Sequence, residues 1–180
     1  MNLYFRLFLL QVRVRLRPRR DTRRSSLWDQ VRTPFRVVPT DLDPLRHVNN
    51  GKYLSMLDLG RMDLMLRSGF WSALSEHGWY PVVSAQTITY KRSLTLGQRF
   101  ELVTRVLGAD ERAVYLEQTF VRRGGVVARA VVQARFLRRS GGTVPTADLL
   151  AATGGADRPL DLPAWVHEWA AATRISSATA

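Results

Sequence analysis

Cysteine is absent from this chain of 180 residues, and histidine occurs only three times. Without cysteine the chain cannot form disulfide bonds, thiolate nucleophiles or cysteine-based zinc sites, and nothing points to an oxidising compartment. The three histidines, His47, His77 and His167, lack the spacing that places two metal ligands on one helix face. We therefore expect no metal site and no bound cofactor.

Lysine is almost absent as well, with two residues against 25 arginines, and the formal net charge is +12. The charge is concentrated at one end, because residues 1–24 contain eight arginines and a single acid, Asp21. A surface that binds nucleic acid would combine basic residues with stacking aromatic residues, and that pattern does not accompany the charge. Nucleic acid is therefore not a predicted partner.

No apolar run approaches the roughly 20 residues needed to cross a bilayer. The first ten residues are apolar except for Asn2 and Arg6, and arginines follow them, whereas a secretory signal has its positive charge first. An apolar end followed by clustered arginines favours contact with an anionic membrane surface, and packing on the chain's own domain or a partner subunit is the alternative. If this segment were a helix, five of its arginines would align on one stripe. Pro18 would break that helix, however, and residues 12–17 alternate like a strand. The secondary structure of the segment therefore stays open. We predict a cytoplasmic protein, with peripheral attachment to the inner membrane face as a further expectation.

The remaining sequence is typical of one α+β domain. Residues 33–39 predict a strand, and a long helix follows with Asn49 or Asn50 as its N-cap and Gly69 just after its last turn. A second short helix ends at Gly78. From Pro81 the apolar period changes to two, which predicts four strands in an antiparallel meander, and two short helices follow. We divide the chain into a basic and apolar segment (1–30), the domain (31–140) and a C-terminal helical part (141–180).

One long helix against a strongly bent sheet makes a two-layer structure. On the last predicted strand, alternate residues from Ala128 to Phe136 share an inner face that a helix can approach, and the opposite face carries Arg129, Gln133 and Arg135. A single helix cannot cover both faces of five strands. We therefore expect a second copy to cover the exposed face, giving a homodimer or a dimer of dimers.

The densest polar stretch outside the arginine-rich start is DLDPLRHVNNGKYLSMLDLGR, residues 41–61. It resembles the loop and central helix of hotdog-fold acyl-CoA thioesterases, in the 4-hydroxybenzoyl-CoA-thioesterase-like branch. That family's pattern is matched here by Asp41, Asp43, His47, Asn49, Asn50, Tyr53, Asp58 and Arg61. The resemblance extends to YKRSLTLGQRFEL and covers about residues 33–138. It implies a curved antiparallel sheet wrapped around one long helix, and an acyl-CoA substrate.

The resemblance also implies roles for individual residues. Asp43 would attack the thioester or activate water, and a backbone amide at Asn50 would polarise the carbonyl. Asp58, where the family usually has Glu, is the second catalytic candidate, and its spacing from Arg61 predicts an ion pair. The predicted substrate-binding residues are His47, Asn49, Asn50, Gly51, Tyr53, Lys91 and Arg92.

Simpler roles stay open for the same residues. Asp43 precedes Pro44 and is typical of a turn, and His47 and Asn49 are typical of residues that brace a loop. Two other functions also stay open. One is a non-catalytic acyl-binding or membrane-associated hotdog scaffold. The other is an enoyl-CoA hydratase, whose Asp-x-Asn-Pro-x-His pattern is broken here by Asp in place of Asn and by one extra residue before His47.

Overall fold

A long helix, α2, lies against one antiparallel sheet in the computed structural model, which describes residues 3–16, 26–155 and 160–175. The helices are α1 (Leu3–Arg15), α2 (Asn50–Ser68), α3 (Phe70–Glu76), α4 (Thr146–Ala152) and α5 (Ala164–Ala172). The strands are β1 (Val31–Arg36), β2 (Trp79–Tyr90), β3 (Arg99–Ala109), β4 (Val114–Arg122), β5 (Gly125–Arg138) and β6 (Thr143–Val144). A 3₁₀ turn, Pro39–Asp41, follows β1. The predicted α+β class with a single long helix is confirmed.

The strands lie in the order β1-β3-β4-β5-β2, with β6 paired to β5, and all pairs are antiparallel. The predicted four-strand meander is therefore wrong for β2, which pairs with β5 and not with β3. The reason is the connection at residues 91–98, which crosses the end of the sheet. It begins on Val127, whose carbonyl accepts from the amides of Lys91 and Arg92, and it buries Leu94 completely before reaching β3. β-Bulges in β2, β3 and β5 bend the sheet around the helix.

Helix α2 approaches the sheet closely at Gly60. A Cβ atom built on Gly60 would lie 2.5 Å from Leu102 Cδ2 and 2.9 Å from both Thr104 Oγ1 and Gln118 Nε2. These distances are shorter than real Cβ contacts, so the helix reaches this depth only because residue 60 has no side chain. Gln118, fully buried on β4, donates to Leu57 O at 3.0 Å and to Thr104 Oγ1 at 3.0 Å. This amide ties the helix to two strands.

A second buried link joins α2 to β1. Asp63 is fully buried, accepts from the Thr33 hydroxyl at 2.6 Å and binds Arg67 at 2.6 and 2.5 Å. A buried carboxylate requires such partners, because losing water without them would cost several kcal/mol, on the order of the penalty for an isolated buried ion. Asp63 is therefore a structural residue.

Helix α5 covers part of the outer face of the sheet, which was predicted to be covered by a second copy of the chain. Val166 and Ala170 of α5 pack with Val131 of β5 and Tyr115 of β4. Gln133, predicted on the exposed face, is 8% exposed and donates to the Tyr115 hydroxyl at 2.9 Å. Burial and the bond from Tyr115 to Asp110 raise the pKa of that tyrosine to about 12. A second copy is thus not needed to cover this part of the face.

The start of the chain is helical, which decides between the two structures left open for it. Helix α1 ends at Arg15 and packs against α2, with Leu10 buried. The later members of the proposed arginine stripe, Arg17, Arg20 and Arg24, lie outside the described residues. Among the helices in the described part of the chain, none is both long and apolar enough to cross a membrane.

Gly60→Ala should destabilise the domain. Alanine has a better intrinsic helix propensity than glycine, by about 1 kcal/mol, but its methyl group would clash with the sheet, and overpacking typically costs about 1–3 kcal/mol. The difference between the two effects is a net loss of roughly 1 kcal/mol, and at most about 2 kcal/mol, in urea unfolding. Lys52→Ala, on the same helix but away from this contact, should change stability by less than about 0.5 kcal/mol. A Gly60→Ala variant more stable than the original would contradict the close approach.

Candidate active site

Residues 42–48 form a tight loop directly before α2. Leu42 and Val48 pair across it, the Asp43 amide donates to His47 O at 2.8 Å, and the Arg46 amide donates to Asp43 O at 2.9 Å. Arg46 has a φ of 61°, in the left-handed region that few residues other than glycine adopt. The chain accepts this conformation because the surrounding bonds fix it, so the loop is held in one shape.

The Asp43 carboxylate lies at the centre of this loop. Its Oδ1 accepts from the amides of Leu45 at 2.9 Å and His47 at 3.1 Å. Within the described residues, Oδ2 has no donor. The turn role and the catalytic role predicted for Asp43 are therefore compatible, because one oxygen holds the loop while the other is available to a water molecule or a substrate.

The start of α2 has one capped amide and one open amide. Of the two predicted N-cap candidates, Asn49 is the N-cap, and its side chain accepts from the Gly51 amide at 2.9 Å. The Asn49 carbonyl accepts from the Lys52 amide at 2.8 Å. The amide of Asn50 has no acceptor in the part of the chain that the structure describes. An open amide at the positive end of a helix is suited to bind an oxyanion.

Two of the predicted substrate-binding residues support the loop. His47 bridges Thr95 through its main chain and exposes its side chain. Tyr53 is 2% exposed and packs edge-on against Tyr90 and Phe120, each at a centroid distance of 5.0 Å. Burial raises the pKa of Tyr53, so it remains a neutral phenol. The structure gives Tyr53 a packing role under the start of α2, and its contact with substrate stays a prediction.

Asp41 is anchored by Arg6, which lies in the segment predicted to contact a membrane surface. Its carboxylate is 2% exposed and binds Arg6 of α1 at 2.5 Å and the amide of Val38 at 3.0 Å. Its carbonyl accepts from the Asn49 amide at 2.9 Å. Arg6 therefore points toward the domain. One signal was available, since Arg6 is the only charged residue among the first twelve, as expected of a cation that meets a buried acid.

Asp58 and Arg61 form the ion pair predicted from their spacing. Arg61 is 10% exposed and also donates to Gln118 Oε1 at 2.8 Å, whereas the Asp58 side chain is 55% exposed. Burial lowers the pKa of Arg61, and the Asp58 charge opposes that shift. The buried Gln118 thus orients Arg61, which in turn holds Asp58 at the surface.

A cluster of cations surrounds the end of the sheet at which α2 begins. Lys91 and Arg92 follow β2, and the Arg92 guanidinium lies within 3.6 Å of the position where a Cβ on Gly125 would be. The turn between β4 and β5 adds Arg122 and Arg123, which sequence reasoning missed. Within the described residues, none of these four cations has a carboxylate within ion-pair distance. We call these four residues the cationic end.

Arg123 lies in the tight turn that connects β4 to β5. Arg123 and Gly124 have φ values of 50° and 76°, and Arg122 pairs with Gly125. Two consecutive residues at positive φ form the type of two-residue turn that matches the twist of a β-hairpin. The signal in the sequence was the RRGG run, which combines a turn with exposed positive charge.

The structure thus brings most of the predicted site residues to one end of the domain. The loop with Asp43, the open amide of Asn50 and the cationic end are neighbours, because Tyr53 in the first turn of α2 contacts Tyr90 just before Lys91. Asp58 lies eight residues farther along the helix than Asn50, or about 12 Å at ~1.5 Å per residue. The two carboxylate candidates therefore occupy different parts of the molecule.

This chain is similar in sequence to thioesterase-like proteins. The model of a family described as the thioesterase-like superfamily matches residues 37–170. Protein THEM6 of Xenopus laevis is 41% identical over 99 residues, which cover 55% of this chain and 48% of that protein. The chain thus spans about half the length of the curated relatives it matches.

Two solved structures show the same fold. The probable thioesterase YbaW of Escherichia coli has a TM-score of 0.63 and 22% identity, and the match covers 68% of this chain and 97% of that one. A mutant 4-hydroxybenzoyl-CoA thioesterase complexed with 4-hydroxybenzoyl-CoA has a TM-score of 0.62 and 14% identity, covering 69% and 98%. The predicted hotdog fold and the family resemblance are confirmed.

Arg6→Gln should destabilise the protein, because Asp41 would stay buried without its cation. Breaking a buried ion pair by removing one partner costs roughly 3 kcal/mol. The matched control is Arg32→Gln, whose pair with Glu101 leaves the two side chains 54% and 46% exposed, and exposed pairs contribute less than about 1 kcal/mol. Urea unfolding measures both losses. Equal losses in the two variants would show that Arg6 does not stabilise the loop.

Proposed function

The chain belongs to the thioesterase-like superfamily, and from that premise we propose that it hydrolyses an acyl-CoA thioester to a free carboxylic acid and coenzyme A. One observation carries the proposal. An open backbone amide at Asn50 and a carboxylate with one free oxygen at Asp43 flank the start of the same helix. Thioester hydrolysis needs such a pair, since one group activates the nucleophile and the other stabilises the oxyanion.

The reaction begins when the thioester carbonyl oxygen accepts a hydrogen bond from the Asn50 amide. Asp43 takes a proton from a water molecule, and the hydroxide adds to the carbonyl carbon. The negative charge that develops on the oxygen lies at the positive end of α2. The carbon–sulfur bond then breaks, and the thiolate of coenzyme A receives the proton. Direct attack by Asp43 would instead form a mixed anhydride, which water hydrolyses to the same products.

Asp58 is the alternative carboxylate. Its side chain is 55% exposed, and the largely buried Arg61 fixes its orientation. Its shorter side chain reaches less far than the Glu that the family usually has there. In the proposed reaction Asp58 positions the substrate and does not activate water.

Comparing Asp43→Asn with Asp58→Asn distinguishes the two assignments. Asp43→Asn keeps the size and the acceptor for the loop amides but removes the charge, so turnover should fall at least about 100-fold. Asp58→Asn should cost less, chiefly by loosening its pair with Arg61. Thiol release from a panel of acyl-CoA substrates, at matched folded fraction, measures both.

The reverse order of effects would make Asp58 the catalyst. If the unaltered protein releases no thiol from any acyl-CoA, hydrolysis itself is the wrong function, and the non-catalytic acyl-binding scaffold replaces it.

The cationic end fits the phosphates of coenzyme A. Lys91, Arg92, Arg122 and Arg123 present positive charge beside the start of α2, and guanidinium groups bind phosphate with paired, charge-assisted hydrogen bonds. A nucleotide bound there would extend its pantetheine arm toward the thioester site. This part of the proposal assigns the predicted residues Lys91 and Arg92 to the phosphates and adds two arginines to them.

Arg123→Ser should raise KM for acyl-CoA by about tenfold with little change in kcat, because it removes one charge-assisted contact worth about 1.5 kcal/mol or more. Arg112→Ser is the matched control, since Arg112 is an exposed arginine in the turn before β4, at the opposite end of that strand. The difference should shrink as salt concentration rises. A similar KM for both variants would remove Arg123 from the phosphate site.

A membrane-surface role is the second candidate, and the exposed side of α1 favours it. Phe5 and Phe8 are more than half exposed, and both lie on the side of α1 opposite Leu10, which is buried. An exposed aromatic stripe next to clustered arginines suits the interface of an anionic bilayer. Arg6 does not take part, because it binds Asp41.

The double substitution Phe5→Ser and Phe8→Ser should weaken binding to vesicles that contain anionic phosphatidylglycerol by at least about tenfold. The reason is that it removes the two aromatic rings that would insert into the bilayer surface. These substitutions leave Arg6 in place, whereas removal of residues 1–24 would also expose Asp41. The control replaces Trp165 and Ile175, exposed apolar residues near the C-terminus, with serine. Vesicle co-sedimentation in which both doubles bind equally would argue against lipid contact by α1.

The proposed homodimer has structural support at the edge of the sheet. Within the described residues, β2 is an edge strand of the sheet, and its side chains Tyr80 and Val83 are 38% and 42% exposed. A free edge strand offers unpaired backbone groups to a second chain. Pairing through β2 would join two sheets, and this is the assembly we propose.

A further inference from the structure

A cavity of about 440 Å³ lies between the middle of α2, the first part of β2 and the C-terminal helix α4. Its walls are almost wholly apolar and include Met62, Met65, Phe70, Val82, Leu149 and Leu150. Asp58 and Arg61 are the only charged residues that the described part of the chain contributes to the lining. The volume lies within the range of small-molecule sites, about 300–1,000 Å³. No residue of the loop before α2 lines this cavity.

One face of α2 connects the cavity to the proposed thioester site. Asn50, Leu54 and Asp58 follow one another at intervals of four residues, which places them on one side of the helix. The same side continues to Met62 and Met65, which line the cavity. A substrate that lies along this face would therefore meet the open amide at one end and the cavity at the other.

We propose that this cavity receives the end of a long aliphatic acyl chain whose thioester lies at the start of α2. The inference rests on the proposed hydrolysis and names its substrate class. Asn50 and Asp58 are separated by about 12 Å along the helix. An extended chain advances about 1.2 Å per bond, so roughly ten bonds reach the cavity mouth. A benzoyl group is shorter than that distance and would leave the cavity unused.

The Asp58–Arg61 pair marks the mouth of the cavity. The buried Gln118 holds the Arg61 guanidinium in place, and Asp58 compensates its charge. Beyond the pair, an apolar chain meets methionine, valine and leucine side chains and gains from leaving water. Each methylene that enters should tighten binding about fourfold until the cavity is filled.

Binding is tested first with thioether analogues of acyl-CoA, which cannot be hydrolysed, carrying butyl and hexadecyl chains. Since roughly ten bonds reach the mouth, a hexadecyl chain places about five carbons beyond it. Isothermal titration should give a hexadecyl affinity at least about 100-fold higher than the butyl affinity, which requires only three to four methylenes to be buried. Equal affinities for the two chains would overturn the proposal, whether or not the protein hydrolyses any thioester.

Leu150→Trp, on α4, places an indole group in the cavity and should weaken hexadecyl binding at least about tenfold while butyl binding stays unchanged. Ala147→Trp adds the same group to the exposed side of α4 and should change neither. Met62→Trp fills the cavity from the opposite wall, and far-ultraviolet circular dichroism with thermal melting checks that the variants fold. If both filling variants fail to fold, the chain-length dependence of the unaltered protein decides.

Three outcomes distinguish a site for the acyl chain from a contact between copies and from a failure of hydrolysis. If Leu150→Trp alters the sedimentation coefficient but not hexadecyl affinity, the cavity is a contact between copies, and the proposal is wrong. If hexadecyl binding depends on the cavity as expected but no acyl-CoA is hydrolysed, the proposed hydrolysis fails while the chain site stands. Hydrolysis that is fastest with benzoyl-CoA and insensitive to Leu150→Trp would leave a thioesterase and overturn the chain site.

Discussion

The close approach of α2 to β3 and β4 at Gly60 is the constraint on which the other features depend. Because residue 60 has no side chain, the helix comes near enough for the buried Gln118 to bond both Leu57 and Thr104. The same amide accepts from Arg61, which then holds Asp58 at the mouth of the cavity. A larger residue at position 60 would move the helix outward and disturb this whole network. Packing in the core thus sets the geometry of a charged pair at the surface.

The loop before α2 is organised independently of any ligand. Asp41 connects it to three parts of the chain, through Val38, through the Asn49 amide and through Arg6 of α1. These bonds offset the unfavourable backbone conformation of Arg46, which the loop needs in order to turn within seven residues. In the proposed hydrolysis, a carboxylate and an amide that are already in place would need no rearrangement when charge develops on the substrate. Such preorganisation is what makes electrostatic stabilisation effective in an enzyme site.

The sequence was most informative where a feature is local. A cap at Asn49 or Asn50, the end of α2 at Gly69 and the Asp58–Arg61 pair were predicted from residues within four positions of each other, and the structure confirms all three, with Asn49 as the cap. The errors concern contacts between distant segments. The pairing of β2 with β5, the cover that α5 gives to Gln133 and the bond from Arg6 to Asp41 depend on where the chain returns after long connections. Periodicity identifies a strand and its inner face, but it does not specify the neighbouring strand or what covers the outer face.

The surroundings of the two carboxylates also give different reasons for their proposed roles. Asp58 is engaged in an ion pair with Arg61, a cation that is largely buried and needs its partner. Within the described residues, Asp43 has no cation at ion-pair distance. Its Oδ1 is held by two backbone amides, which leaves Oδ2 for a water molecule or a substrate while the loop keeps its bonds. A general base needs an oxygen that no other group of the protein occupies. On this ground Asp43 is suited to proton transfer and Asp58 to holding its position at the mouth of the cavity.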